Sequence, residues 1–432
     1  MKRVAFYTLG CKVNQYETEA MEEIFVKRGY NVVDGNEEAD VYVINTCTVT
    51  NLGDRKSRQF IRRAKKSNED SIVVAVGCYS QVAPEEVEKI EGVDIVIGTT
   101  DRDKIVDFCE EAKTKRKKIN VVKSIKGHKK FESLNIYDVK SKTRAYIKIQ
   151  EGCNQFCSYC IIPYARGPIR SRDLDDIIKE TERLAEAGFK EVILTGIHVA
   201  SYGKDLKNID LLKVIEEVSK IEGIERIRLS SVEPTLIDER SMEKALEIKK
   251  LCDHFHLSLQ SGSDTVLNRM NRKYTTSQYE EIVKLIRRYM PDAGITTDII
   301  VGFPGETEEE FEETYNFVKN IGFSRIHVFK YSPRKGTPAS KFENQIHGTI
   351  KHERSERLIN LGNELMSSFN EKYIGRTMDV LFEEIKNGFI EGYTTNYIRV
   401  KAKPSKEKEG QILSTKIIDK ENEFLIGKIE EL

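Results

Sequence analysis

The sequence predicts an α/β protein in three folded parts: an N-terminal parallel α/β domain over residues 1–112, a central partial (βα)6 barrel over 143–370, and a small antiparallel β-barrel over 371–432. A basic linker, 113–142, separates the first two. Three observations carry this. Strand, tight turn and helix recur three times before residue 100. Six strand-helix alternations follow residue 144. After Gly375 only short β-rich pieces remain, broken by Gly and Asn.

At 432 residues the chain is long enough for two or three domains. Lys plus Arg and Asp plus Glu both total 70, so net charge gives no pull toward nucleic acid and any basic surface must be local. No apolar run approaches a membrane span and the first ten residues are too short for a secretory segment, so the default is a soluble cytoplasmic protein. The eight cysteines are spread along a chain without export signals, which points to metal or catalytic sites rather than disulfides. Six fall into two sets of three; Cys109 and Cys252 read as buried small residues.

In the first domain, Val4–Thr8 reads as a strand leading through Gly10 to Cys11 and a helix from about Tyr16 to Arg28. Val41–Asn45 leads to Cys47 and a basic helix, and Ile72–Val76 leads to Gly77, Cys78 and a helix after Pro84. Open parallel sheets gather ligands beyond the carboxyl ends of their strands, so Cys11, Cys47 and Cys78 should converge. Packing is the plain alternative for one strand-end cysteine; three in succession favour a cluster site. The helix after Cys47 carries basic residues at 55, 58, 62 and 66 on one face. Arg58 and Arg62 are candidates for phosphate contact, with a solvated face as the alternative. Residues 113–142 are lysine-rich, and from Lys123 they show little periodicity, as a tethering segment would.

The barrel strands are expected at Ala145–Ile149, Glu191–Thr195, Arg226–Leu229, His254–Leu259, Ile295–Val301 and Arg325–Tyr331. Helices are expected near Leu174–Ala187, Leu211–Lys220, Ser241–Leu251, Thr276–Tyr289 and Thr307–Ile321. The first strand runs into Cys153, Cys157 and Cys160, a CxxxCxxC spacing that chance gives in roughly a few chains per thousand of this length. Structural zinc wants four ligands and none follows nearby, whereas an iron-sulfur cluster held by three thiolates keeps one iron open. Chemistry in such folds belongs at the carboxyl ends of the strands. Thr195 and Gly196, then Ser231 and Glu233, then Gln260 fall there as candidate cofactor contacts; helix caps and turns are the competing roles. His198 and His256 read as hydrogen-bonded structural groups. Arg166 and Arg170 read as candidates for an anionic partner, with a helix-entry or surface role equally open.

CxxxCxxC with Tyr159 before its last cysteine resembles the signature of the radical S-adenosylmethionine (SAM) enzymes. That resemblance implies SAM bound at the open iron, Tyr159 beside it, and reductive cleavage to a 5′-deoxyadenosyl radical inside a partial (βα)6 barrel. The two triads together, with Thr8-Leu-Gly-Cys-Lys-Val-Asn14, Asn45-Thr-Cys-Thr-Val-Thr50 and Gly77-Cys-Tyr-Ser80, resemble the radical-SAM methylthiotransferases over nearly the whole chain. The family implies two 4Fe-4S clusters: an auxiliary one on Cys11, Cys47 and Cys78 that carries the sulfur to be inserted, and a radical one on Cys153, Cys157 and Cys160. It also implies a tRNA anticodon loop as partner, an electron donor such as flavodoxin or ferredoxin, and a sulfur donor. Cys11-Lys-Val-Asn-Gln-Tyr-Glu17 is most similar to the subgroup that modifies N6-threonylcarbamoyladenosine. Isopentenyladenosine and a ribosomal protein aspartate stand as alternatives, and a non-catalytic metal-containing RNA-binding protein is the competing class. Gly375 through Arg399 resembles the TRAM domain, which makes Tyr397 and Arg399 candidate RNA contacts, with core aromatics as the plain reading.

Overall fold

A computed structural model describes residues 2–134, 143–404 and 409–430; the last part of the expected linker, 135–142, lies outside the described residues. The N-terminal domain is a six-stranded, all-parallel sheet built from β1 (Arg3–Thr8), β2 (Asn31–Val33), β3 (Val41–Thr46), β4 (Ile72–Gly77), β5 (Ile95–Ile97) and β6 (Ile119–Asn120), in the order β2-β1-β3-β4-β5-β6. Strand β3 is buried at every position, its successive residues joining opposite faces of the sheet. Val41 and Val43 join one core with Met21, Phe25 and Ile105, while Tyr42 and Ile44 join another with Ile61 and Ala64. Both faces are therefore covered, as parallel sheets require. The helices doing so are α1 (Lys12–Lys27), α2 (Asn51–Ser67), the short α3 (Cys78–Val82) and α4 (Pro84–Glu88), and α5 (Ile105–Lys115). Helix α1 begins four residues before the expected Tyr16, directly after Cys11 at its N-cap. Strand β6 lies within the stretch expected to be linker and pairs with β5.

The barrel is formed by β7 (Arg144–Glu151), β8 (Arg170–Ser171), β9 (Glu191–Gly196), β10 (Arg226–Leu229), β11 (Ser231–Val232), β12 (His254–Leu257), β13 (Gly294–Val301) and β14 (Arg325–Lys330). The six long strands β7, β9, β10, β12, β13 and β14 are the six expected. They form two four-stranded sheets, β10-β9-β7-β8 and β11-β12-β13-β14, bridged by the parallel Ile227–Leu251 pair. Outside them run α6 (Ile162–Arg166), α7 (Leu174–Glu186), α8 (Leu211–Ser219), α9 (Glu239–Glu247), α10 (Asp264–Arg269), α11 (Thr276–Tyr289), α12 (Glu308–Ile321) and the long α13 (Gly348–Glu371). Reciprocal capping boxes, Thr275 with Gln278 and Thr307 with Glu310, start α11 and α12 where the sequence places them. One continuous apolar core lies between sheet and helices.

The tail closes into a five-stranded barrel, β15 (Thr377–Lys386), β16 (Phe389–Thr394), β17 (Arg399–Ala402), β18 (Ile412–Glu421) and β19 (Phe424–Ile429), ordered β15-β16-β17-β19-β18. It is antiparallel except where β17 pairs parallel with β19. The sequence pattern predicts tail strands at Thr377–Leu381, Phe389–Tyr393, Tyr397–Val400 and Glu423–Ile429, and so misses β18. Its aliphatic residues come in adjacent pairs, Ile412-Leu413 and Ile417-Ile418, which break the period-two alternation that marks a strand, and Thr415 and Ile417 are its only fully buried side chains among the described residues.

Candidate active site

Strands β1, β3 and β4 are neighbours, so Cys11, Cys47 and Cys78 leave three adjacent strand ends. This is where the sheet order reverses and where open α/β sheets bind ligands. Two glycines permit the approach. Gly10, at φ 105°, has no side chain because a Cβ would meet Cys47 Cβ at 2.9 Å and its Sγ at 3.0 Å. Gly77, also at φ 105°, would strike the Asn45 Oδ1 at 2.6 Å. Asn14 Nδ2 donates to the carbonyls of Leu9 (2.7 Å) and Thr46 (3.1 Å), tying the Cys11 turn to the Cys47 turn. On its far side, the Cys47 turn is clamped by Arg334 of the barrel, which donates to Asn51 Oδ1 (2.6 Å), Thr48 Oγ1 (2.6 Å) and Asp54 Oδ2 (2.5 Å).

The second triad lies on the loop between β7 and α6. Ser158 anchors that loop, its N–H donating to the Met270 carbonyl (3.0 Å) and its hydroxyl to the Arg269 carbonyl (2.8 Å). Burial pushes the Cys153 thiol up to about 11 and Cys160 up to about 12, and the neighbouring Cys157 adds to both. Burial likewise pushes Cys78 to about 12, opposed by Arg166. Thiolates at such positions need a cation to hold their charge.

Each triad has a buried guanidinium on one sulfur. Arg272 donates to Cys157 Sγ (3.3 Å) and to Glu233 Oε1 (3.0 Å). Arg166 donates through Nε to Cys78 Sγ (3.1 Å), and to Glu17 Oε1 (2.5 Å), Glu151 Oε1 (3.1 Å) and Asn14 Oδ1 (2.7 Å). Arg166 sits six residues after Cys160, at the end of α6, yet reaches the other triad: it joins the two sites. This overturns the expectation that it meets an anionic partner, since its side chain is wholly buried. Arg170 is buried too, against the Pro168 carbonyl. Lys148 and Arg102 complete the network on Glu17 and Glu151. Burial alone would raise the Glu17 carboxyl; Arg102, Arg166 and Lys148 outweigh it and hold it well below the usual range. The sequence marked Arg166 only as a candidate for an anionic partner and did not mark Arg272, because each partner set is assembled from distant segments.

Of the expected cofactor contacts, Glu233 is held by Arg272 and by His198 Nε2 (3.0 Å), whose other ring nitrogen meets Ser201. Burial would raise the Glu233 carboxyl, but these two hold it below the usual range. Thr195 is buried at the end of β9, and Gly196 lies flat on Gln150, whose carbonyl a Cβ would meet at 2.9 Å. Ser231 is exposed at the start of β11. Gln260 follows β12 at φ 69°, bridged to Ile299. Tyr159 packs edge-on against Phe303, and burial raises its phenol well above the usual range. His256, expected to be structural, bonds Thr296 Oγ1 (2.9 Å) and lies 3.2 Å from Asp298 Oδ2.

The donor sets fit iron-sulfur cubanes. Each set offers three cysteine thiols, the ligand type a cubane takes, and a cubane held by three thiolates keeps one iron open.

Residues 147–318 match the Radical SAM superfamily, and residues 3–98 match the uncharacterized protein family UPF0004. Over 425 residues the chain is 46% identical to the threonylcarbamoyladenosine tRNA methylthiotransferase MtaB of Bacillus subtilis, covering 97% of this chain and 94% of that one. The chain belongs to the radical-SAM methylthiotransferase family. A second MtaB, from Aquifex aeolicus, is 45% identical over 94% of this methylthiotransferase and 98% of its own length. A tRNA-2-methylthio-N(6)-dimethylallyladenosine synthase from Clostridium novyi is 40% identical over 88% and 86%. Among solved structures, the radical SAM methyltransferase TsrM of Kitasatospora setae shares the fold, with TM-score 0.60 at 14% identity over 78% of this chain and 77% of that one. Among the described residues of this methylthiotransferase no helix is long and apolar enough to cross a membrane.

The residues expected to meet RNA are placed unequally. Arg62 is exposed on α2, while Arg58 donates to the Tyr79 hydroxyl (2.8 Å) and pairs with Glu86. Tyr397, at φ 70°, stacks between His254 of the central barrel (4.5 Å between centroids) and Tyr393 (4.8 Å), with Arg228 over its ring. Arg399 is paired with Glu391 and Glu423 across its own barrel. Both of these tail side chains are engaged in holding the tail together or docking it. Lys12, beside Cys11, drew no notice in the sequence. It is half-buried and has no hydrogen bond or ion pair among the described residues; burial lowers its ammonium, opposed by Tyr397.

Proposed function

We propose that this protein replaces the C2 hydrogen of N6-threonylcarbamoyladenosine, next to the tRNA anticodon, with a methylthio group. It does so with one 4Fe-4S cluster on Cys11, Cys47 and Cys78, another on Cys153, Cys157 and Cys160, and SAM. The observation that carries the reading is the Arg166 network, which ties both triads to one buried polar strut so that a single flipped base can meet both. When bound, the clusters and SAM supply a carbon-centred radical and a methylated sulfur. The chain's own part is to hold and shield: Arg166 and Arg272 stabilise thiolate charge, and the buried strut keeps the two sites in register. Glu233, poised on Arg272 and His198, Thr195, Gly196, Ser231, Gln260 and Tyr159 are the proposed SAM contacts.

Lys12 favours the threonylcarbamoyl substrate over isopentenyladenosine. The threonyl group carries a carboxylate and the isopentenyl group does not, and an unpaired, half-buried ammonium beside a cluster ligand suits an anion. In the same reading the tail is a TRAM-like RNA-binding domain. Flavodoxin or ferredoxin supplies electrons, a separate donor supplies sulfur, and the work is done on anticodon loops in the cytoplasm, where an unpaired purine is cheaply unstacked.

The experiment is mass spectrometry of tRNA nucleosides from cells lacking the gene, complemented with wild type, Cys153→Ala or Lys12→Gln. Restoration of methylthio-threonylcarbamoyladenosine by wild type alone, with a reduced level from Lys12→Gln, is the expected result. A response of methylthio-isopentenyladenosine instead overturns the substrate; no response of either overturns the tRNA reading.

A further inference from the structure

The loop that carries the second triad exposes an apolar ring where packing gives it nothing to cover. Phe156, the residue before Cys157, is 50% exposed and sits at φ 47°, a region that bulky side chains adopt only under constraint. Its ring meets Tyr164 of α6 edge-to-face at 5.9 Å, and Tyr164 is itself 41% exposed. The strained conformation is held from outside the loop: Asn271 Nδ2 donates to the Phe156 carbonyl (3.0 Å). Asn271 in turn accepts from the exposed Lys273 ammonium at 2.6 Å. Two projecting rings and a lysine are thus fastened together at the rim of the site.

We propose that Phe156 and Tyr164, with Lys273, form a stacking platform for an unpaired nucleobase of the anticodon loop next to the one being modified, Lys273 meeting its phosphate. The proposal rests on the tRNA reading above. Three features single out RNA as the occupant. Unpaired bases are recognised by stacking on aromatic faces beside a backbone-tracking cation. The patch is continuous with the loop that holds Cys153, Cys157 and Cys160, to which the target base must come. A modified base that has flipped out leaves a neighbour unstacked, and a platform at the rim gives that neighbour a replacement surface. Since every base has a π-face, the platform would grip the loop whatever the neighbouring base.

The test uses reconstituted holoenzyme and a synthetic anticodon stem-loop bearing threonylcarbamoyladenosine. Phe156→Leu/Tyr164→Leu should weaken the stem-loop Kd by about 5- to 150-fold, the span of one lost stacking contact, with iron content at the wild-type level. Lys273→Glu should flatten the dependence of log K on log salt by about 0.7, the share of one single-strand phosphate. The chain has no tryptophan, so Tyr164→Trp installs a sole reporter whose emission should be quenched by the stem-loop. Should the double variant lose iron, Tyr164→Leu and the Tyr164→Trp reporter decide the matter, because Tyr164 lies outside the cysteine loop. Unchanged affinity together with unmoved emission overturns the platform. Unchanged affinity with slower reduction by flavodoxin, but not by dithionite, overturns it in favour of an electron-carrier surface. Failure of the wild type to bind the stem-loop overturns the tRNA reading instead.

Discussion

Replacing Arg166 by methionine tests the strut that joins the two halves of the site. The substitution keeps an unbranched apolar stem and removes every donor, so Cys78 loses a partner at 3.1 Å, Glu17 one at 2.5 Å and Glu151 one at 3.1 Å. Breaking a buried ion pair by removing one side costs about 3–5 kcal/mol. Glu17 keeps Arg102 and Lys148, and Glu151 keeps Lys148, so the cost falls at about 3 kcal/mol. With a urea m-value of about 3 kcal/mol/M, the midpoint of the transition that separates the domains should fall by about 1 M. Circular dichroism of anaerobic holoenzyme would follow it, with limited proteolysis reporting separation of the N-terminal domain from the barrel. The pH dependence has a definite sign. Glu17 is depressed in the folded state, so its stabilisation is complete above the unfolded carboxyl range of about 4.3 and is lost only as pH falls through the lower folded value. The gap between wild type and Arg166→Met should therefore stay flat from pH 5 to 8. An unshifted midpoint, or a gap that already narrows between pH 8 and 5, would refute the strut.

The two triads should separate by product. Cys153→Ala, Cys157→Ala or Cys160→Ala should abolish formation of 5′-deoxyadenosine, whereas Cys11→Ala, Cys47→Ala or Cys78→Ala should preserve it and lose the methylthio product, both read by liquid chromatography with mass detection. Glu233→Ala strips the carboxylate from Arg272 and His198 and should raise the apparent KM for SAM about tenfold or more with iron content intact; a normal KM removes Glu233 from the cofactor site. Tyr397→Ala removes the ring stacked on His254 and beneath Arg228, and should lower the stability of tail docking by about 1–3 kcal/mol, seen as faster proteolysis near Gly375; unchanged cleavage would mean the stack contributes nothing.

Much of the architecture was legible because its signals are local. Val4–Thr8, Val41–Asn45 and Ile72–Val76 are β-rich runs closed by Gly or Asn, and the six barrel strands stand between helices whose apolar spacing is plain. Strand β18 was hidden because its paired aliphatic residues, Ile412-Leu413 and Ile417-Ile418, break the alternation a strand is read from. Helix α1 began early because the polar Lys12-Val-Asn-Gln15 turn is recruited by contacts that Asn14 makes with another strand end. Tyr397 and Arg399, which the sequence offers to RNA, are instead drawn into packing by His254, Glu391 and Glu423, none of them adjacent in the chain except through the fold.

The sequence by itself determined where the thiols fall: three in a CxxxCxxC loop and three just past successive parallel strands, β1, β3 and β4. Only the tertiary structure decided what surrounds the sulfurs. Arg166 and Arg272 reach Cys78 and Cys157 because burial forces each guanidinium to find acceptors, and the nearest are supplied by segments up to about 150 residues away. A spacing pattern marks where thiols gather; the groups that surround them are chosen by which elements the folded core brings together.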